Sequence, residues 1–225
     1  MAPETPILRD AIRTLHQAGM AVVALVSDLP NTERDHFVGI DNIAAGRAAG
    51  ILMGRFMGGG TGQVVVIGQS MLLRESVERR FGFDQVMLRD FSQIEVLQTL
   101  ESHGRSQLLV QVLQETLNHT TDIKGIYLLG AGHRALSHAL HDLELTGRMV
   151  VVGHELTPHA RSALETGAMD AVITQNVGHV VRSALRILRA RTDRMPIDPG
   201  QEQIRIEIVI RETLPHTPGD SQGRK

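Results

Sequence analysis

The segment from Met149 to Gln175 constrains the fold of this chain more than any other, because it reads as one strand–helix–strand unit. Short β-branched runs at its two ends are typical of buried strands. Between them, Thr157 is typical of a helix N-cap, Pro158 of the first helical position and Gly167 of a helix end. Two strands joined by one helix in this way are predicted to be parallel in a single sheet.

The same alternation of strand-like and helix-like segments continues along the rest of the chain. Apolar periodicity predicts helices over residues 6–19, 43–58, 73–91, 106–118, 134–145 and 177–190. Short apolar runs predict strands over residues 20–26, 37–40, 63–67, 94–99 and 125–129. Isoleucine occupies every second position from Ile204 to Ile210, which predicts a final half-buried strand. The fold class predicted from this alternation is α/β with a largely parallel sheet.

Composition and charge exclude several classes of function. A net charge of −2 over 225 residues provides no basic surface of the kind that binds nucleic acid or an anionic membrane. The absence of cysteine excludes disulfides and thiolate metal sites. No apolar run reaches the ~18 residues of a membrane span, and the first residues lack the apolar core of a signal peptide. We therefore expect a cytoplasmic protein with no membrane partner.

Two glycine-rich motifs invite comparison with phosphate-binding loops. Gly58–Gly62 lies between a predicted helix and a predicted strand, the reverse of the order that a phosphate loop requires, so a plain turn is favoured. Gly130–Ala135 follows a strand, opens a helix and fits the pattern G-x-G-x-x-G/A. Glu155 lies near the ~20-residue distance expected for a ribose-binding acid. A dinucleotide-dependent enzyme is therefore an alternative, although this motif normally occupies the first βα turn of a chain.

Other candidate chemistry is weaker. His154 and His159 flank Pro158, so the two histidines do not share a helical face on which a metal ion would sit. Gly68–Ser70 lacks the closing glycine of a nucleophile elbow. We predict no catalytic residue, no metal site and no cofactor.

Polar residues at strand ends are the first candidates for ligand contacts. Glu155 and Gln175 stand just past the ends of two predicted strands, where the ligand crevice of an open α/β sheet lies. Arg79 lies in the helix predicted over residues 73–91. An arginine there can form two hydrogen bonds to vicinal hydroxyls or a carboxylate, or it can lie on a solvated helix face with i,i+4 partners.

The order of these elements resembles the effector-binding part of the lactose-repressor (LacI) family, which shares its fold with periplasmic sugar-binding proteins. The resemblance covers about residues 3 to 211 and rests on residues 2–30, 37–56, 78–83, 125–140 and 150–175. It implies two lobes that close on a small ligand, usually a sugar, in a transcriptional regulator and repressor whose affinity for DNA depends on that closure. A solute-binding receptor of a sugar transporter is the alternative that the shared fold allows, although the lack of a signal peptide argues against it.

The resemblance also assigns ligand contacts. Arg79 stands where the family has the arginine three residues before a Gly-Phe pair, which contacts sugar hydroxyls. Glu155 replaces the usual aspartate, and Gln175 matches a glutamine or asparagine at the crossing between lobes. Ser27 and Asp28 fall at the family's Asp-Arg turn and depart from it.

A further departure concerns the loop after residue 129, where Ala131 replaces the family's asparagine. The resemblance therefore implies that this loop contacts the ligand through its backbone or through His133. The ligand-binding residues predicted are thus Ser27, Asp28, Arg79, His133, Glu155 and Gln175.

The resemblance implies a division of the chain into lobes. Residues 1–40 and 176–203 would form a partial first lobe, residues 41–175 and 204–212 the second, and residues 213–225 a mobile tail. The family's DNA-binding head and first two βα units have no counterpart in this sequence, which would leave apolar faces uncovered. The partners implied are a sugar or polyol, DNA only through the absent head, and a second copy of the chain in a homodimer.

Overall fold

The computed structural model of the protein describes residues 4–214 and has an α/β fold. Its strands are β1 (Val23–Leu25), β2 (His36–Val38), β3 (Gly62–Gly68), β4 (Ile94–Val96), β5 (Leu100–Glu101), β6 (Ile123–Leu128), β7 (Val150–His154), β8 (Ala171–Gln175) and β9 (Ile206–Val209). Its helices are α1 (Pro6–Gln17), α2 (Asn42–Phe56), α3 (Arg74–Asp90), α4 (Ser106–His119), α5 (His133–Asp142), α6 (Pro158–Thr166), α7 (Val177–Thr192) and α8 (Pro199–Glu202).

The main sheet has seven strands in the order β4-β3-β6-β7-β8-β9, with β5 also paired to β3. All of its pairs are parallel except β8 with β9. Strands β1 and β2 form a separate parallel pair. The predicted α/β fold with a largely parallel sheet is confirmed. Because β3, β6, β7 and β8 are parallel, their carboxyl ends meet at one edge of the sheet, and this edge carries the candidate site.

Helices cover both faces of the main sheet. Helices α2, α3 and α7 share one core cluster with the sheet, in which Met53, Phe83 and Ile187 are buried. Helices α4, α5 and α6 form the second cluster, around Leu113 and Leu136. Burial of these apolar side chains is the main favourable term in folding, and it fixes the carboxyl edge between two rigid layers.

Helix α2 packs closely against helix α3 through glycines. A methyl group on Gly46 would lie 2.0 Å from the carbonyl oxygen of Arg79, and one on Gly82 would lie 2.0 Å from the carbonyl oxygen of Ile43. No side chain fits at either position. The small residues of α2 therefore hold the backbone at Arg79 in place.

The strand–helix–strand unit of residues 149–175 has the predicted caps. The side chain of Thr157 accepts a hydrogen bond of 3.1 Å from the backbone N–H of Ala160. Pro158 begins α6 and Gly167 ends it in the left-handed conformation, with φ of 75°. Strands β7 and β8 pair in parallel, as predicted.

One prediction for the end of the chain is corrected. Every second residue of the last strand is predicted to face inward, but Ile208 is exposed and Val209 is buried against the α4–α6 side. Helices cover both faces of the sheet, so either side of this edge strand can be buried. Leu214 packs on the same cluster, residues 215–225 lie outside the described residues, and the mobility of the tail over residues 213–225 stays a prediction.

Helix α7 packs on the small β1–β2 sheet, which lies within residues 1–40. Several apolar side chains of this region are exposed, among them Ile7, Met20, Val181 and Leu185. The division of the chain into two lobes stays a prediction. No helix within residues 4–214 combines the length and apolar character needed to cross a membrane.

Candidate functional site

An ion pair between Arg79 and Glu155 joins α3 to the end of β7. Nη2 of Arg79 lies 3.0 Å from Oε1 of Glu155. Nε donates to Oδ1 of Asn42 at 2.9 Å, and Nη1 donates to the carbonyl oxygen of Leu129 at 2.7 Å. The side chain of Arg79 is 0% exposed, so its charge is compensated entirely by these buried partners and by Glu155. Such a fully paired guanidinium is a rigid positioning group.

Glu155 presents its carboxylate at the carboxyl edge. Its side chain is 28% exposed, in contrast to that of Arg79. Its backbone has φ of 71°, which is uncommon for a residue other than glycine. Hydrogen bonds hold this turn: the N–H of Glu155 donates to Ile173 at 2.9 Å and its carbonyl accepts from Thr157 at 2.8 Å. A strained backbone held by its surroundings is typical of functional positions.

A buried aromatic pair, Tyr127 and Phe83, contacts the site through His154. Tyr127 stacks on Phe83 with ring centroids 4.4 Å apart. The hydroxyl of Tyr127 shares a hydrogen bond of 2.8 Å with Nε2 of His154, the residue before Glu155. Burial, assisted by the charge of Arg79, lowers the pKa of His154 well below its ordinary value, and burial raises the pKa of Tyr127. His154 is therefore a neutral structural group at pH 7.

Gln175 ends β8 at the same edge of the sheet as Glu155. The last pair between β7 and β8 joins His154 to Ile173, and Gln175 lies two residues after Ile173. Glu155 and Gln175 therefore lie at the ends of neighbouring strands. Gln175 is buried, and its side-chain oxygen has no hydrogen-bond partner. A buried acceptor without a donor costs free energy.

Ser27 reaches the site through α3, whereas Asp28 does not. The hydroxyl of Ser27 donates to Oε2 of Glu75 at 2.6 Å. Glu75 lies one helical turn before Arg79, on the same face of α3. The carboxylate of Asp28 is held instead by Arg34, through Nε and through Nη2 at 2.8 Å.

His133 lies on the other face of the sheet from Arg79. It begins α5, is buried, and its Nε2 lies 3.7 Å from the position of a methyl group on Gly153. Its ring lines a pocket of about 360 Å³ among the first turns of α4, α5 and α6. The structure thus brings Arg79 and Glu155 into contact and places Ser27 and Gln175 near this pair. Asp28 pairs with Arg34 instead, and His133 lies on the other face of the sheet.

The glycine motifs lie where the sequence predicts. Gly58 and Gly59 have positive φ in the connection between α2 and β3, as a plain turn requires. Gly132 has φ of 129° at the start of α5. Over residues 4–214, no group of three or more histidine, cysteine or acidic side chains is arranged to hold a metal ion.

Sequence reasoning missed Asn42 and Glu75. Asn42 follows the N-cap Asp41, whose side chain accepts a hydrogen bond of 2.9 Å from the backbone N–H of Ala44. The signal that could have found Asn42 is that it is a second polar residue at a helix start that Asp41 alone already caps. For Glu75, the signal was an acidic residue one turn before an arginine already singled out.

Comparisons with known proteins agree with this architecture. Residues 1–193 match the sequence model of a family described as the periplasmic binding protein domain. The D-allose-binding periplasmic protein of Escherichia coli (strain K12) is 25% identical over 153 residues, which are 68% of this chain and 49% of that protein. The chain thus spans about half the length of this curated relative.

Solved structures show the same fold. The glucose-galactose binding protein from Geobacillus stearothermophilus has a TM-score of 0.84 and 18% identity, over 95% of this chain and 75% of that one. A solute-binding protein from Agrobacterium vitis, bound to α-D-tagatopyranose, has a TM-score of 0.83 and 16% identity, over 93% of this chain and 73% of that one.

Two expectations are wrong in the light of these relatives. The prediction of a LacI-type transcriptional regulator or repressor is contradicted, because the relatives are sugar-binding proteins of periplasmic or transporter type. The prediction of a cytoplasmic location is contradicted by the same comparison. The two classes share one fold, so the order of elements alone could not separate them.

Proposed function

We propose that this chain, which belongs to the periplasmic binding protein domain family, binds a sugar or polyol reversibly as the solute-binding component of a transporter. Its family is one of binding proteins, and its relatives include proteins named for D-allose and for glucose and galactose. The binding surface is the carboxyl edge of the main sheet, where Glu155 and Gln175 end neighbouring strands.

The observation that carries this proposal is the difference in solvent exposure between Arg79 and Glu155. Arg79 is completely buried, while the carboxylate of Glu155 is 28% exposed. Three protein acceptors hold Arg79 in place, so Arg79 in turn fixes the position of the Glu155 carboxylate. An ionised carboxylate held in this way accepts hydrogen bonds from ligand hydroxyls, and such charge-assisted bonds are about twice as strong as neutral ones.

Gln175 supplies a second acceptor in this proposal. Its buried side-chain oxygen lacks a donor within the described residues. A ligand hydroxyl that reaches this oxygen removes the cost of leaving it unpaired, which rewards a ligand rich in hydroxyl groups over an apolar one.

We further propose that closure of two lobes accompanies binding. The lobes are residues 1–40 with 176–203, and residues 41–175 with 204–212. The hydrogen bond from Ser27 to Glu75 then crosses from the first lobe to the second. A ligand stabilises the closed arrangement by the extra contacts that it makes there.

A thermal-shift screen tests the proposal. The purified chain is heated with D-allose, D-arabinose, D-tagatose, D-glucose or D-galactose, and separately with NAD. We expect at least one sugar to raise the melting temperature, because a ligand that binds only the folded state stabilises it by mass action. Stabilisation by NAD alone would contradict the proposal and favour the dinucleotide-dependent enzyme.

A further inference from the structure

Glu75, in the first turn of α3, is a buried carboxylate without a positively charged partner. The residue is only 2% exposed. Within residues 4–214, no ion pair includes Glu75. Its oxygen Oε1 is buried and has no hydrogen-bond partner in this part of the chain. Buried charges are ordinarily paired, because burial of a lone charge costs free energy. Glu75 therefore lacks the counter-charge that such a position ordinarily has.

The other charged residues around Glu75 neutralise one another. In the loop after β1, Arg34 pairs with Asp28. Every arginine of α3 has an acidic partner, and these pairs are Arg74 with Glu78, Arg79 with Glu155, Arg80 with Asp84, and Arg89 with Asp90. Within the described chain, Glu75 is thus the acidic residue of α3 that no arginine neutralises. One negative charge is left over at the start of the helix.

Two contacts favour the negative form of Glu75. The hydroxyl of Ser27 donates to its Oε2 at 2.6 Å, and hydrogen bonds from a hydroxyl to an ionised oxygen are about this short. Glu75 also lies in the first turn of α3, where the partial positive charge of the helix stabilises an acidic side chain. The charge that lacks a partner is therefore that of an ionised carboxylate.

Glu75 lies at the place where the proposed function puts the sugar. It is one helical turn before Arg79, which corresponds to ~6 Å along the helix axis. Contacts run from Ser27 to Glu75 and from Arg79 to Glu155. Ser27 follows β1, and Glu155 follows β7. Glu75 is thus enclosed between the loop after β1 and the carboxyl edge of the main sheet, and the proposed separation of the two lobes would expose its carboxylate.

A metal ion does not fit as the missing counter-charge. Among the residues that the structure describes, no group of three or more histidine, cysteine or acidic side chains is arranged to hold one. Magnesium and calcium bind several oxygen ligands at once, and one free carboxylate oxygen does not provide them. An organic cation needs only the single carboxylate.

We infer that the ligand of this chain carries an ammonium group, as an amino sugar or an amino polyol does, and that Glu75 binds this group. The inference rests on the proposed function and names the class of sugar. An ammonium group has three N–H donors and no acceptor, and one of these donors binds Oε1 of Glu75. The hydroxyl groups of the same ligand bind Glu155 and Gln175. Arg79 is 0% exposed, so it neither competes for Glu75 nor repels the ligand at contact distance.

Isothermal titration calorimetry on the full chain tests the inference with matched pairs of ligands. D-glucosamine is compared with D-glucose, and D-galactosamine with D-galactose. We expect at least one amino sugar to bind with a Kd about tenfold or more below that of its neutral counterpart, because only the ammonium group compensates Glu75. N-acetyl-D-glucosamine keeps the nitrogen but not its charge, so it should not share this advantage over D-glucose.

Glu75→Gln removes the charge and keeps the oxygen that accepts from Ser27. In this variant the Kd values of the amino sugar and its neutral counterpart should differ by no more than about twofold. Glu115→Gln is the matched control, because Glu115 is an exposed carboxylate on α4. Glu115→Gln should keep the full preference for the amino sugar.

Melting curves without ligand separate a binding role of Glu75 from a structural one. Removal of an uncompensated buried charge should leave the melting temperature of Glu75→Gln equal to or above that of Glu115→Gln. A melting temperature lower by more than about 4 °C would identify Glu75 as a structural group and overturn the inference.

The calorimetry distinguishes failure of this inference from failure of the proposed function. Equal or weaker binding of both amino sugars, relative to their neutral counterparts, would overturn the inference and leave the binding of sugars intact. An undiminished preference for the amino sugar in Glu75→Gln would also overturn it, because another group would then bind the ammonium. A lack of binding by all five probes would contradict both proposals.

Discussion

Arg79 and Glu155 face each other across 3.0 Å, with the arginine fully buried and the carboxylate partly exposed. They are separated by 76 residues in the chain and are brought together by the close packing of α3 on α2 and by the end of β7. The tertiary fold therefore fixes a partly exposed carboxylate, paired with a buried arginine, at the carboxyl edge.

Removal of the arginine tests the energetic part of this account. Arg79→Leu deletes the buried charge together with its hydrogen bonds to Asn42 and Leu129. Breaking a buried pair costs about 3–5 kcal/mol. Partial exposure lets Glu155 regain water, so we expect a smaller loss of about 2–3 kcal/mol. Urea unfolding measures this free energy. Arg89→Leu on the exposed face of α3 is the control and should change it by less than about 0.5 kcal/mol.

The glycine contact between α2 and α3 makes a second prediction. In Gly46→Ala the new methyl group would lie 2.0 Å from the carbonyl oxygen of Arg79, so α3 must shift. We expect a loss of about 2 kcal/mol or more in the free energy of unfolding. Gly178→Ala in α7 is the matched control, because its methyl group would meet only side-chain atoms, the flexible end of Arg182 at 3.0 Å and Oδ1 of Asn176 at 3.3 Å. That control should be neutral or stabilising; equal losses in both variants would contradict the account.

The lowered pKa of His154 predicts how the stability of the protein depends on pH. Its pKa is lowered in the folded state by burial and by Arg79, so between that pKa and about 6.5 the unfolded chain binds more protons than the folded chain. The free energy of unfolding should therefore be highest above about pH 6.5 and fall on acidification below it. His154→Gln, which can still bond Tyr127, should flatten this fall in urea titrations, whereas His141→Gln on the surface should not. An unchanged slope in His154→Gln would refute this role.

The exposed apolar stripe of α7 predicts self-association. Val177, Val181 and Leu185 follow one another at helical spacing and are exposed. We expect the chain to form dimers or larger species as its concentration rises, measured by light scattering on eluted peaks. Val181→Gln with Leu185→Gln should shift the population toward monomer, and Leu72→Gln, at an exposed residue elsewhere, should not. A wild-type chain that stays monomeric at all concentrations would contradict the prediction.

How far the sequence predicts this structure depends on the range of the interactions. The caps Thr157 and Gly167 and the parallel strands around them were predictable, since hydrogen bonds within a few residues decide them. The burial of Val209 instead of Ile208 was not, because the coverage of both sheet faces depends on helices elsewhere in the chain.

The same difference between short-range and long-range interactions applies to the residues of the candidate site. Arg79 and Glu155 were predicted one by one, from a resemblance and from a strand end, but their mutual contact follows only from the packing of α2 on α3. Asn42 and Glu75 were missed because a polar residue near a helix start is ordinarily solvated, and only the fold turns these two inward. The biological role was misjudged because repressors and transport receptors share one architecture.

The most direct test of the central claim is the affinity of Glu155→Gln for the sugar that gives the largest thermal shift. Calorimetry should give a Kd at least tenfold weaker than that of the unchanged chain, because the amide accepts weaker hydrogen bonds than the carboxylate. Glu165→Gln, at an exposed carboxylate of α6 paired with Arg161, should leave the Kd unchanged. Equal affinities for all three proteins would contradict the role of Glu155, and no binding of any of the five sugars would contradict the proposed function itself.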